Sequence, residues 1–340
     1  MKPAVMSTND KARGGDWRHA GEDVCYFKNG LTSANIDRLG GLDPESDALG
    51  GGATGNNGTS GSGKKKRVKH FYTLSFTYTF DQPDTVFFAH CYPYTYSDLQ
   101  RYLYELEQDD RISQLMHRRL LCHTIAGNRC DLLTITSRST DKEAAMKRPA
   151  IVISARVHPG ETNSSYAMHG LLSYLVSECP EAMALRNQFV FKVVPMMNPD
   201  GVIHGNYRCS LAATDLNRRY ANCNTYLHPT VSSMYRMLFN LQDTRGVLLY
   251  LDLHGHSKNK NVFLYGCDVV QQPEAWVRGD LEEKSRMDVI GQRVFCRVLP
   301  KLLHTVSNCN NGGYFNYKDC KFNVGKSKRG TGRVVAWRDI

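Results

Sequence analysis

A chain of 340 residues, 41% hydrophobic and 22% charged, has material for about two domains of roughly 150 residues each. Its 13 Phe, 18 Tyr and 3 Trp exclude a wholly disordered chain, and no apolar run approaches the ~18 residues that a transmembrane helix needs. The net charge of +10 points to an acidic partner, with nucleic acid, anionic lipid and acidic protein tails all open at this level.

The start, MKPAVMSTNDKARGG, holds no apolar stretch of about 7–15 residues, so no secretory signal is expected. Eleven dispersed cysteines without a CxxC pair read as free thiols in a reducing compartment, with the cytosol as the default location. Residues 41–69 read as an insertion. Within it, 49–63 (LGGGATGNNGTSGSG) carries seven glycines in fifteen residues, too much backbone entropy to order alone. The basic run 64–70 (KKKRVKH) is either a solvated loop end or a nuclear localisation signal. Residues 58–64 fit GxxxxGK, but Lys65 stands where a phosphate-binding loop needs Ser or Thr, and no buried strand precedes it; nucleotide binding is rejected.

Residues 71–91 alternate and are aromatic, which predicts strands with a turn at 81–84 (DQPD). Residues 97–106 predict a helix, with Ser97 as N-cap and Leu99, Leu103 and Leu106 at helical spacing. Residues 131–137 (DLLTITS) predict a further strand. Together, 16–145 read as a mostly-β sandwich domain carrying the Gly-rich insertion.

After Pro149 the character changes. Residues 150–157 (AIVISARV), 189–194 (FVFKVV) and 247–253 (VLLYLDL) are near-continuous apolar runs, as in strands buried on both faces of a largely parallel sheet. Helices are predicted at 161–179, with Tyr166, Leu171, Leu172 and Leu175 as its apolar face, and at 232–241. The second domain is therefore expected at 149–340 as an α/β fold, with functional groups at the carboxyl edge of its strands.

His158 ends the first apolar run and opens His158-Pro159-Gly160-Glu161, whose Pro-Gly turn lets His158 and Glu161 converge. His254 ends the third. Two histidines and a carboxylate at strand ends make an open zinc site, although such a set also arises by coincidence in a chain with 12 His. Asn198-Pro199-Asp200-Gly201 is a turn after the second run, leading through Arg208 to Asp215-Leu216-Asn217-Arg218.

At these residues the sequence resembles the zinc metallocarboxypeptidases, and within them the cytosolic carboxypeptidases. The matching stretches are RVHPGETNSSYAMHGLL (156–172), NPDGVIHGNYRCSLAATDLNRRY (198–220) and LDLHGHSKNKNVFLYG (251–266). YPYTYS (92–97) and DWRHAGEDVCYFKNG (16–30) resemble the β-sandwich domain that precedes catalysis in that subgroup. The resemblance implies a carboxypeptidase-like α/β fold with a mixed, largely parallel sheet flanked by helices. It implies His158, Glu161 and His254 as ligands of one zinc ion. Asn217 and Arg218 would grip the substrate's terminal carboxylate, and Arg208 would stabilise the oxyanion. His256 reads as pocket lining, His169 as a packed or surface residue, and Asp252 as support for a ligand.

The family also needs a glutamate general base, downstream of a segment resembling 330–338 (GTGRVVAWR). The chain ends at Ile340 before any such glutamate, so an incomplete domain is expected. Residues 333–337 have the pattern of a strand. Glu274, Glu282 and Glu283 lie in a polar stretch and are poor substitutes. Between 318 and 338, Lys318, Lys321, Lys326, Lys328, Arg329, Arg333 and Arg338 face only Asp319 in sequence. This is either a solvated basic loop or a cationic wall in which Arg333 holds a glutamate side chain.

The leading expectation is a cytoplasmic zinc carboxypeptidase that removes glutamates from C-terminal or branch chains of acidic proteins, with tubulin and microtubules as the partner implied. The alternatives are a zinc- and acidic-tail-binding protein without the base, and a zinc N-acyl amino acid deacylase, against which the YPYTYS domain argues. Neither a nucleic-acid nor a membrane partner is expected.

Overall fold

The structure, a computed structural model, describes residues 2–32, 70–268, 286–309 and 313–340. The Gly-rich and basic insertion expected at 41–69 lies outside these, as do Glu274, Glu282 and Glu283. The chain divides into two compact units, Met1–Pro93 and Tyr94–Ile340.

In the first unit, β1 (Ala4–Ser7), α1 (Thr8–Ala12), β2 (Arg18–His19), β3 (Glu22–Thr32), β4 (His70–Thr77) and β5 (Val86–Ala89) follow in order. They form an antiparallel three-stranded sheet, β2-β1-β5, and an antiparallel β3-β4 pair. Ser7 caps α1 and, with Thr8, donates a hydroxyl hydrogen to Asp84 in the turn before β5.

The second unit begins with α2 (Tyr96–Gln108), α3 (Asp110–Ser113), β6 (Met116–His123), β7 (Arg129–Ile135) and α4 (Lys142–Lys147). There follow β8 (Ala150–Ala155), α5 (Thr162–Leu175), α6 (Pro180–Gln188), β9 (Val190–Val194) and α7 (Pro199–Ile203). The described chain closes with α8 (Pro229–Arg245), β10 (Val247–Leu253), α9 (Arg286–Cys309) and α10 (Gly332–Asp339). Five strands make one mixed sheet in the order β10-β8-β9-β7-β6, with β10, β8 and β9 parallel and β7 and β6 antiparallel. Every residue of β8 is buried, as its unbroken apolar run demands. One face of the sheet packs on Leu99, Leu103 and Leu106 of α2 and on Met168, Leu172 and Leu175 of α5. The other packs on Val231, Met234 and Leu238 of α8 and on Val335 and Ala336 of α10. Among the described residues, no helix is long and apolar enough to cross a membrane.

Four expectations change. The expected boundary near 145–149 moves to 93/94, because β6 and β7 continue the β8-β9-β10 sheet; alternating edge strands look the same in either domain. The N-cap of α2 is Thr95, in a capping box with Asp98, rather than Ser97. Tyr166 faces outward at 48% exposure, and Met168 takes the core position on α5. Residues 333–337 are helical: α10 starts at Gly332, and its Val and Ala side chains pack beneath β10 and α8.

Candidate metal centre

The chain leaves β8 through Arg156, which has a left-handed φ of 56° and is 3% exposed. Its guanidinium donates to Pro159 O (2.7 Å), Tyr94 O (3.1 Å) and Ser165 Oγ (2.8 Å). The side chain thus ties the His158–Glu161 turn to the start of α5. Gly160 allows that turn to close against the next loop. Its N–H donates to Tyr207 O at 2.8 Å, and a Cβ there would stand 2.6 Å from the same oxygen.

β10 lies parallel to β8 with Leu253 opposite Ala155, so His254 and His158 emerge side by side. Their ring centroids are 4.9 Å apart. Glu161 sits between them: Oε1 is 2.8 Å from His158 Nδ1, while Oε2 is 3.0 Å from His254 Nδ1 and accepts the Gly255 N–H at 2.7 Å. One donor atom from each of the three residues lies within 4.8 Å of the others.

The opposite ring nitrogens are also engaged. His158 Nε2 is 3.1 Å from Asp215 Oδ1, and His254 Nε2 is 2.7 Å from Asp252 Oδ2. A carboxylate only accepts, so each imidazole donates from Nε2 to its aspartate and from Nδ1 to Glu161, and a metal held by Glu161 and the two Nδ1 atoms would take the place of the Nδ1 hydrogens. Burial opposes a charge on His254, but Asp252 and Glu161 outweigh it and push its imidazole up to about 10. Burial likewise opposes ionisation of Glu161, yet the two imidazoles hold its carboxyl far below the ordinary range. A site that attracts a proton this strongly has the field to hold a divalent cation, and its N, O, N donor set fits zinc.

Asp215 joins this cluster to the guanidinium groups. Its Oδ2 accepts from Arg208 Nε (2.9 Å) and Nη2 (2.8 Å) and lies 3.9 Å from Arg218 Nη1. Burial opposes its charge, but His158 and then the arginines keep it well below the usual carboxylate range. Asn217 places Nδ2 3.1 Å from His254 Nε2, and its Oδ1 accepts the Gly332 N–H at 3.0 Å. Arg218 donates to Asn217 O at 2.7 Å. The Arg333 guanidinium lies 5.7 Å from the Tyr265 ring centroid. Burial and the charges of Arg208 and Arg333 lower the pKa of Arg218 against the pull of Asp215; Lys328 is lowered by burial and by all three arginines. Four cationic side chains, Arg208, Arg218, Lys328 and Arg333, therefore lie around Asp215.

All seven expected site residues belong to this neighbourhood. His256 does not reach the cluster; it accepts from the Asn259 N–H at 2.9 Å and meets Phe263 edge-on. His169 stacks on Tyr102, with centroids 3.6 Å apart. Sequence reasoning passed over Arg156 and the central role of Asp215. The aspartate could have been found from its place two residues before Asn217, but nothing local marks Arg156.

The zinc carboxypeptidase family matches residues 99–275, just over half the chain, and the chain belongs to that family. The chain is also similar to several cytosolic carboxypeptidases. It is 42% identical over 340 residues to cytosolic carboxypeptidase 3 of Mus musculus, covering 99% of this chain and 28% of that protein. It is 40% identical over 340 residues to cytosolic carboxypeptidase 2 of Xenopus tropicalis, covering 99% of this chain and 30% of that protein. The chain thus spans under a third of the length of these curated relatives. A putative carboxypeptidase A from Shewanella denitrificans shares the fold, with a TM-score of 0.59 at 23% identity over 78% of this chain and 62% of that one.

Proposed function

We propose that this chain provides the zinc- and carboxylate-binding part of a cytoplasmic metallocarboxypeptidase that removes glutamates from the tails or polyglutamate side chains of acidic proteins, tubulin among them. The observation that carries this reading is the sharing of Asp215 between His158 and Arg208, with Arg218 beside them, so that metal donors and carboxylate-binding groups form one unit. His158, Glu161 and His254 would hold the zinc, which supplies Lewis acidity and a nucleophilic water at neutral pH. Arg218 and Asn217 bind the terminal carboxylate and so place the last peptide bond at the cluster. Arg208 donates to the carbonyl oxygen as it gains charge, and Asp215 fixes its direction. Glu161, Asp215 and Asp252 are all bonded to imidazoles and are not free to act as the general base.

The cationic side chains Arg208, Arg218, Lys328 and Arg333 support an acidic substrate. The test is zinc-dependent binding of a peptide ending in Glu-Glu against its C-terminal amide. A charge-assisted contact worth about 1.5–3 kcal/mol makes the acid bind at least about tenfold tighter. Equal binding of acid and amide refutes the reading. Tight binding without glutamate release favours the zinc- and tail-binding alternative.

A further inference from the structure

We propose that Ser154 and Tyr250 are positioning residues for His254, acting through Asp252; this rests on the reading of His254 as a zinc ligand. Ser154 on β8 stands opposite Asp252 on β10 in the parallel ladder and is wholly buried. Ser154 Oγ lies 2.8 Å from Asp252 Oδ1 and 3.0 Å from Tyr250 Oη, while Asp252 Oδ2 lies 2.7 Å from His254 Nε2.

The directions of these bonds follow from what each group can do. Asp252 accepts at both oxygens, so the single Ser154 hydroxyl hydrogen goes to Oδ1 and His254 Nε2–H goes to Oδ2. Ser154 Oγ then has only lone pairs left, and Tyr250 must donate to it. Burial, followed by the charge of Asp252, pushes the Tyr250 phenol further above its ordinary value and keeps that hydrogen in place. The chain runs one way, Tyr250 to Ser154 to Asp252, and the aspartate meets the histidine with its second oxygen. Asn217 Nδ2, 3.1 Å from His254 Nε2, is itself a donor and cannot bond a protonated Nε2. Ser154 holds Oδ1 of Asp252, and the Tyr250 hydroxyl lies beside Gly332, where a Cβ would stand 2.7 Å from it. The imidazole is thereby held with Nε2–H on Asp252 and with Nδ1 on the Glu161 side, where it would ligate the metal.

The experiment measures zinc affinity by chelator competition and records the visible spectrum of the cobalt-substituted protein, for wild type, Ser154→Ala, Tyr250→Phe and Tyr102→Phe. Loss of a group that orients a metal-bound histidine costs about tenfold in affinity at the lower end, so Ser154→Ala is expected to bind zinc about tenfold more weakly and to shift the cobalt bands. Tyr250→Phe moves the same way by less. Tyr102→Phe, which removes a hydroxyl 2.8 Å from Ser173 Oγ rather than one in the chain, leaves both readouts unchanged. Should Ser154→Ala not fold by circular dichroism, Tyr250→Phe carries the test. Affinities within about twofold of wild type with unshifted cobalt bands overturn the proposal. A shift in Ser154→Ala with none in Tyr250→Phe overturns the tyrosine's part. A wild-type chain that binds no zinc refutes instead the ligand reading beneath it.

Discussion

Asp215 is the residue whose removal separates this account from a fortuitous cluster of polar groups. Asp215→Ala deletes the acceptor of His158 Nε2–H at 3.1 Å, both contacts to Arg208 at 2.8 and 2.9 Å, and the acceptor of the Asn217 N–H at 2.9 Å. Two consequences follow. His158 loses the partner that fixes its tautomer, which costs about 10–100-fold in metal affinity, or about 1.4–2.7 kcal/mol. Arg208 and Arg218 keep their mutual repulsion and lose their shared counter-charge, so the carboxylate-binding side spreads as well. Asp215→Asn retains one acceptor oxygen for the imidazole and the Asn217 N–H but loses the charge and the oxygen that accepts from Arg208, so it falls between wild type and Asp215→Ala. Zinc affinity by chelator competition, with thermal unfolding as the control for folding, gives the order wild type, Asn, Ala. A folded Asp215→Ala protein that binds zinc within about twofold of wild type refutes the coupling.

Arg218→Ala should abolish most of the preference for a peptide acid over its amide, about tenfold or more, while leaving zinc affinity nearly intact; isothermal titration with both peptides checks it. Gly160→Ala puts a methyl 2.6 Å from the Tyr207 carbonyl oxygen and 2.7 Å from its ring, so unfolding should show a loss of about 1–3 kcal/mol and zinc binding should weaken with it; an unchanged melting temperature contradicts the close approach. In the metal-free protein, the His254 value of about 10 means its protonated form contributes stability that is complete below the unfolded value of about 6.5 and is lost as pH rises toward 10. The depressed Glu161 and Asp215 contribute above their ordinary range and lose that contribution only in acid. Urea midpoints of chelator-stripped protein should therefore fall between about pH 7 and 10, and His254→Gln should flatten that slope.

Much of the centre was legible because it is built at the ends of strands that are apolar throughout. The runs beginning at Ala150 and Val247 are both strands, but only the first is buried throughout. The second, expected to be buried on both faces, is half-buried at the end of the sheet order, and the histidine directly after each emerges at the same edge because the two strands pair in parallel. What could not be read is non-local. The alternating pattern of β6 and β7 is the same whether they close a separate sandwich or extend the catalytic sheet, and only their pairing to β9 decides. The Val-Val-Ala-Trp stretch after Arg333 has strand propensity, yet Gly332 lies against Tyr250 and Tyr220 and lets a helix begin there; tertiary packing overrode propensity. Arg156 gave no signal, since its left-handed backbone and its three carbonyl and hydroxyl partners exist only after α2, the turn and α5 meet.

The most direct test is the metal content of the purified chain, wild type beside His158→Ala and His254→Ala. The account predicts about one zinc per chain in the wild type and its loss in both variants. Wild-type protein without stoichiometric zinc, or variants that retain it, would contradict the claim that these two imidazoles and Glu161 form the metal centre.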